Sequence, residues 1–185
     1  MLRLTGVTCL GLMLLAAPAL AQNGSSGAEG RPQNQKLDQQ DQHFLDHAAK
    51  DNQGEIRVAL LAEKKAESPA VKAFARLMVD DHVAVESQLA SVLNRLHSNV
   101  SNGVTHEDRQ DMQKLEPLHG HAFDRQFMQA QIKDHHGDIQ KFHQELQSTH
   151  DGSVRAFAVT TLPMLRQHLA LAEAVDHSLG GGEKH

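Results

Sequence analysis

The 185-residue chain has one cysteine, no tryptophan and no tyrosine. Its cysteine, Cys9, lies in an N-terminal segment typical of a secretory signal, so the remainder offers no disulfide and no thiolate ligand or nucleophile. Without tryptophan and tyrosine, the usual aromatic platform for stacking nucleic-acid bases is missing. The 18 basic residues are outnumbered by 23 acidic ones and form no cluster. Nucleic acid and anionic lipid are therefore not expected as partners.

Catalytic motifs are also missing. The sequence contains no G-x-S-x-G, no Walker loop and no G-x-G-x-x-G. These patterns place a nucleophile or cradle phosphates, and each needs a particular turn before a helix. No enzymatic activity is predicted, although a metal-dependent one is left open.

The N-terminal residues have the three parts of an export signal. Arg3 supplies a positive charge, residues 10–17 are apolar, and Ala-Leu-Ala at 19–21 is a cleavage site. We expect residues 1–21 to be removed and the mature chain to be periplasmic. The apolar run is too short to span a bilayer, so no integral membrane segment is expected in the mature chain. Removing Arg3 leaves 17 basic and 23 acidic residues, a net charge of −6 with neutral histidine.

The rest of the chain is predicted to be all-α. Residues 22–37, rich in Gly, Ser, Asn and Gln, indicate a flexible linker, and residues 180–185 a disordered tail. Between them, residues 38–179 predict one helical domain. Ser68-Pro69, Pro117 and the turn "HDGS" separate long helices at about 38–67, 69–97, 121–149 and 154–179. A short helix between them begins near Thr105, which is spaced from Asp108 like a capping box.

An internal repeat indicates how the helices are arranged. Shifting the chain by 83 residues places "FLDHAAKDNQGEI" on "FMQAQIKDHHGDI" and "VKAFA" on "VRAFA". Gly54 then matches Gly137. Two copies of a helical hairpin, each with an apolar stripe, must bury those stripes against each other. The expected fold is a four-helix up-down bundle built from two repeated hairpins.

Each long helix carries one polar side chain inside its apolar stripe. His82 stands among apolar residues one and two turns away, and Glu55, His135 and His168 occupy similar positions on the other helices. Burying such groups without partners costs several kcal/mol. Imidazole nitrogen and carboxylate oxygen together suit a divalent Zn, Fe, Mn, Ni or Cu ion. A buried transition-metal site is therefore predicted.

Further polar residues extend this site. Asp138 matches Glu55 in the repeat, and Glu86 follows His82 by one turn, so both are candidate ligands. Asp81 and Asp134 directly precede stripe histidines. Successive helical side chains point about 100° apart, so these two are expected to support ligands rather than bind the ion. His43 and His47, at i and i+4, are interpreted as part of a solvated face.

Two other interpretations remain open. Buried His–Glu and His–Asp pairs could fix helix register without metal in a structural or interaction protein, whose protein partner the sequence does not indicate. Alternatively, the clustered imidazoles could make an acid-responsive protein. The metal site predicts a role in metal handling or stress defence. The metal-free network predicts no bound ion, and the acid-responsive protein predicts that the helical bundle loosens between about pH 5 and 6.5.

Four segments resemble a known family: "DQHFLDHAAKDNQGEI", "LAEKKAESPAVKAFARLMVDDH", "HGHAFDRQFMQAQIKDHH" and "VRAFAVTTLPMLRQHLALAEAV". They are similar to domain of unknown function 4142, an exported bacterial family, over residues 38–179. The resemblance implies a ferritin-like four-helix bundle in the periplasm, often labelled a predicted outer-membrane protein, and implies no activity. The family pattern falls on Glu55, Asp81, His82, Phe123, Asp124, His135, Pro163 and His168.

The chain departs from ferritin-like di-iron proteins at one point. Those proteins carry E-x-x-H on two helices. Here Val79 and Leu165 stand three residues before His82 and His168. A mononuclear or histidine-rich site is therefore expected instead of a di-iron centre.

Overall fold

The computed structural model describes residues 37–181, which contain no β-strand. The helices are α1 (Gln39–Lys65), α2 (Pro69–Leu96), α3 (His106–Leu115), α4 (Gly120–Ser148) and α5 (Gly152–Gly181). The all-α prediction is confirmed. The predicted signal, and all but the edges of the predicted linker and tail, lie outside the described residues. Among residues 37–181, no helix combines the length and apolar character needed to cross a membrane.

Local signals account for where several helices begin. Asp38 caps α1, with its side chain accepting a hydrogen bond from the Gln40 amide at 3.0 Å. The capping box of α3 is confirmed, since Thr105 and Asp108 exchange both expected bonds. These side chains satisfy amides that the first helical turn leaves without partners.

The turn between α1 and α2 is closed by a side chain from α4. Asp124 is 2% exposed. Its carboxylate accepts hydrogen bonds from the backbone amides of Glu67, at 3.1 Å, and Ser68, at 2.7 Å. A negative charge at this place also complements the positive end of the α2 dipole. Asp124 therefore ties the first two helices to the fourth.

The long helices pack mainly as neighbours in sequence. α1 lies along α2 and α4 lies along α5, while α2 also contacts α5 and α1 contacts α4. The short α3 packs against α1 and α4. One face of every long helix therefore packs into a shared interior.

That interior has two apolar clusters. One surrounds Phe44, Phe142 and Phe157, whose rings pack edge-on or tilted within 6.2 Å. The other surrounds Phe74 and Phe127. Between them along each long helix lie the buried polar residues, which we call the polar layer: Asn52, Glu55, His82, Gln131, His135, Asp138 and His168. The predicted polar interruptions therefore fall at one level of the molecule.

One glycine permits a close approach of α3 to α1. A Cβ atom built on Gly54 would lie 2.0 Å from Asp108 Oδ2, well inside contact distance. At Gly137, its match in the repeat, a Cβ atom would meet nothing within 4 Å. The two glycines are equivalent in sequence but not in packing.

Candidate metal centre

Three histidines from three helices meet in the polar layer. His82 of α2 is 3% exposed, and His135 of α4 and His168 of α5 are both 0% exposed. One side-chain nitrogen from each lies within 4.8 Å of the others. Within this group, His135 Nε2 and His168 Nδ1 are 3.4 Å apart. The structure therefore brings together three of the residues proposed from the sequence.

Two of these rings are oriented by acceptors on their outer side. His135 Nδ1 lies 2.9 Å from the Gln131 carbonyl oxygen. His168 Nε2 lies 2.8 Å from Asp81 Oδ2. Because a carbonyl and a carboxylate can only accept, both outer nitrogens carry a proton. The inner nitrogens, His135 Nε2 and His168 Nδ1, are then unprotonated.

The third ring is oriented by Asn52 of α1. The Asn52 amide nitrogen donates to the His82 carbonyl oxygen at 2.9 Å, which assigns Asn52 Oδ1 as an acceptor. His82 Nδ1 lies 2.9 Å from that oxygen and therefore carries the proton. His82 Nε2 is left with its lone pair, is buried, and has no hydrogen-bond partner among the described residues.

Three inward lone pairs are an unfavourable arrangement without a partner. The 3.4 Å contact between His135 and His168 joins two acceptors when both rings are neutral. A buried acceptor without a donor costs about 1–3 kcal/mol. For comparison, two nitrogens bound tetrahedrally at about 2.0–2.1 Å from one ion are about 3.4 Å apart. A cation would satisfy all three nitrogens once the two nitrogens that lie farthest apart, within 4.8 Å of each other, moved closer together.

Burial keeps the three rings neutral. It lowers the pKa of His82 well below its usual value, and the other two imidazoles act in the same direction. Burial also lowers the pKa of His135 to about 4. For His168 burial lowers the pKa, although the hydrogen bond and charge of Asp81 oppose this. Neutral imidazole is the form that binds metal.

The carboxylates proposed as ligands lie elsewhere. Glu55 is 2% exposed but does not join the histidines within 4.8 Å. Asp138 is buried and accepts a hydrogen bond from Lys141 Nζ at 3.0 Å. Glu86 is exposed on α2. Asp134 is half-buried beside Lys133, with an N–O distance of 3.7 Å, and is not part of the three-histidine group.

Electrostatics favour the protonated form of Glu55 in the metal-free protein. Burial, together with Asp134 and Asp138, raises the pKa of Glu55 well above its usual value, although a hydrogen bond from Gln131 opposes this. Burial and the neighbouring Asp111 raise the pKa of Asp134 to about 7. A carboxyl group that retains its proton must lose it before binding a metal.

Two orienting residues were missed by sequence reasoning. Asn52 stands three residues before Glu55 on the same face of α1, so the periodicity that identified Glu55 contained a signal for it. Gln131 uses its backbone oxygen, and every residue has one. Its role follows from the helical geometry, because His135 is four residues later.

Comparisons with known proteins agree with this architecture. The DUF305 fragment from Deinococcus radiodurans has 17% identity and a TM-score of 0.68, over 79% of this chain and 99% of that chain. CopM in its Cu(II)-bound form has 17% identity and a TM-score of 0.63, over 75% of this chain and 96% of that chain. At such identity these likenesses show the fold alone. No curated protein matches the chain.

The family described as "Domain of unknown function (DUF4142)" matches residues 26–175. This range spans the polar layer and all three histidines. The chain belongs to the DUF4142 family.

Proposed function

We propose that this protein binds one transition-metal ion through His82 Nε2, His135 Nε2 and His168 Nδ1. The observation that carries the proposal is the convergence of three buried, unprotonated nitrogens, each oriented from outside by its own acceptor. Metal-binding histidines commonly have such outer partners, which fix the ring and its tautomer. Three ligands leave a fourth coordination position for water or another donor.

Copper is the first ion to test. Three imidazoles suit Zn, Cu, Fe and Ni, and no thiolate is available in the predicted mature chain. Met164 and His82 line the same small cavity, and a thioether favours Cu(I). The fold likeness to CopM, solved with Cu(II), adds a reason to begin with copper. The corresponding role is metal handling or stress defence.

We place this site in a ferritin-like four-helix up-down bundle at residues 38–179. The packing of α1 on α2 and of α4 on α5 supports two hairpins, as the repeat predicts. The export signal predicted at 1–21 supports a periplasmic location. Within the site, Glu55, Asp138 and Glu86 would influence the ion only indirectly.

A metal-free polar network is the main alternative. It needs a proton between His135 and His168, and protonated His168 paired with Asp81 supplies one while keeping both outer bonds. The same protonation is the basis of the acid-responsive alternative. In either case no protein donor among the described residues reaches His82 Nε2, which is why metal binding is favoured.

Calorimetric titration of untagged, metal-free protein with Cu(II) and Zn(II) tests the site. We expect one ion per chain, and loss of at least about 100-fold in affinity in His82→Leu and His168→Leu, because two remaining imidazoles hold the ion weakly. Leucine suits an apolar surrounding, so these variants should fold, which circular dichroism will check. His136→Leu is the control, since that ring is exposed on α4. Unchanged stoichiometry and affinity in the His82 and His168 variants would refute the proposal.

A further inference from the structure

A solvent-facing groove lies between α1 and α4. Its volume is about 300 Å³. Ligand-type side chains line it: His43, His47 and Asp51 from α1 and Asp138 from α4. Its outer wall includes the exposed His43, so ions in solution can reach it.

A second, much smaller cavity adjoins this groove. Its volume is about 20 Å³, enough for one water-sized occupant, and His82 and Met164 are on its wall. The groove and this interior cavity share four lining residues: Ala48, Asp51, Asp138 and Phe142. These side chains form a common boundary of the solvent-facing groove and of the cavity that His82 lines.

The side chains on α1 form a series that leads inward. His43, His47 and Asp51 are four residues apart, so they share one face at intervals of about 6 Å. His43 is exposed, whereas His47 and Asp51 are half-buried. Burial and the neighbouring Asp138 and Glu55 raise the pKa of Asp51 well above its usual value, so its carboxyl group must release a proton when it takes up the ion. Within residues 37–181 they do not form a three-donor group. One or two donors at a time would hold an ion weakly, which suits passage better than storage.

We propose that the groove between α1 and α4 is the entrance through which the metal ion reaches the three histidines, with His47 and Asp51 as transfer ligands. This inference rests on the proposed function, because an entrance requires a site behind it. Imidazole, carboxylate and the Met164 thioether would replace the water of the ion in turn. His43 and His47 of α1 would then line an entrance for the ion and would not be only part of a solvated face.

Lys141 regulates this entrance. Its Nζ atom lies 3.0 Å from Asp138 Oδ1, and its side chain is 45% exposed. A fixed positive charge at the inner end of the groove repels an arriving cation and occupies an oxygen that could bind it. Burial and Lys141 also lower the pKa of His47, opposed by Asp138 and by Glu107 of α3, which keeps its ring neutral for binding.

Rapid mixing of metal-free protein with Cu(II), followed by the absorbance of the copper–histidine complex, measures the rate of loading. The variant carrying both His47→Gln and Asp51→Asn should load about tenfold more slowly, with its equilibrium affinity unchanged within about twofold. Lys141→Gln should load several-fold faster, because the repelling charge is gone. His136→Gln is the control, since its ring pairs with Glu173 of α5 at 3.7 Å, away from the groove.

A physical block gives a test that does not alter the transfer ligands. The predicted mature chain has no cysteine, so His43→Cys introduces a single thiol at the outer end of the groove. A bulky maleimide attached there should slow loading, whereas the same label on His136→Cys should not. If wild-type protein binds neither Cu(II) nor Zn(II), the proposed function itself fails. If it binds copper but the groove variants and the labelled proteins load as fast as the controls, the site stands and the entrance is refuted.

Discussion

Each candidate ligand is oriented by a different residue outside the histidine group. Asn52 orients His82, the Gln131 carbonyl orients His135, and Asp81 orients His168. Such partners select the tautomer and, where they are charged, increase the electron density on the ring. The carboxylate of Asp81 is the strongest of the three acceptors, because it carries charge.

Changing Asp81→Asn should therefore weaken metal binding without unfolding the protein. Asparagine keeps the shape and one acceptor but loses the charge, so we expect about tenfold lower affinity. The Asp81 side chain is 37% exposed, so the melting temperature of the metal-free protein should change little. Calorimetric titration measures the affinity. Asp80→Asn, at the exposed neighbouring position, is the control, and equal affinities in the two variants would contradict this role for Asp81.

The periodicity of apolar residues predicted that these side chains are buried, but it did not predict which residues they contact. His82, His135, His168 and Glu55 all lie in the polar layer, as their apolar neighbours indicated. A stripe gives the face and level of a side chain, but not its distance from side chains on other helices. Asp81 was expected to support a ligand, and its contact is His168 of α5. That pairing follows from the packing of α2 on α5, which local sequence does not encode.

At the scale of helices, Gly54 and Gly137 occupy matching positions in the repeat. Comparing them distinguishes the effect of local helix propensity from that of a tertiary contact. Gly54 faces Asp108, whose side chain is held by Thr105 in the capping box of α3. Gly137 faces open space. Alanine is favoured over glycine inside a helix by about 1 kcal/mol. Only at Gly54 does a tertiary contact oppose this gain.

We expect Gly137→Ala to raise the free energy of unfolding by about 0.5–1 kcal/mol. Gly54→Ala should lower it by about 1 kcal/mol or more, because a methyl group would displace the Asp108 carboxylate and disturb the start of α3. Urea unfolding followed by circular dichroism measures both. Stabilisation by both substitutions would show that α3 moves aside at no cost.

Helix boundaries were predictable where the signal is local. The caps at Asp38 and Thr105 and the break at Ser68-Pro69 all lie where the sequence placed them. The start of α5 differs. It begins at Gly152, because the Asp151 side chain accepts hydrogen bonds from the Ser153 and Val154 amides at 2.8 and 3.2 Å. Its end at Gly181 lies two residues beyond the predicted stop.

For the whole molecule, two kinds of group in the polar layer and directly beside it have opposite responses to pH. The buried histidines have lowered pKa values, so the unfolded state binds their protons more tightly and stability rises with pH between about 4 and 6.5. Glu55 and Asp134 have raised pKa values, so the folded state binds their protons more tightly. Their contribution falls as pH rises above about 4.5, and for Asp134 the fall ends near 7. The two effects partly cancel.

The substitution Glu55→Gln should remove the contribution of Glu55 to stability, which falls as pH rises. Glutamine does not titrate, so stability of the variant should rise more steeply with pH between 4.5 and 6.5 than that of the wild type, by on the order of 1 kcal/mol per pH unit. Urea unfolding of metal-free protein across this range measures the slope. Glu63→Gln, which lies two turns later on α1 with its carboxylate 3.8 Å from Arg76, is the control. Parallel curves for wild type and Glu55→Gln would show that Glu55 titrates normally.

The interior cavity beside His82 holds about 20 Å³, which is room for one small particle and not for an ion with six waters around it. Any cation that arrives there has already shed most of its hydration shell. Mg²⁺ surrenders water reluctantly, whereas softer ions exchange it readily for nitrogen donors. Under the proposed function, a cavity of these dimensions would act as a dehydration filter, which discriminates among cations before the imidazoles bind them.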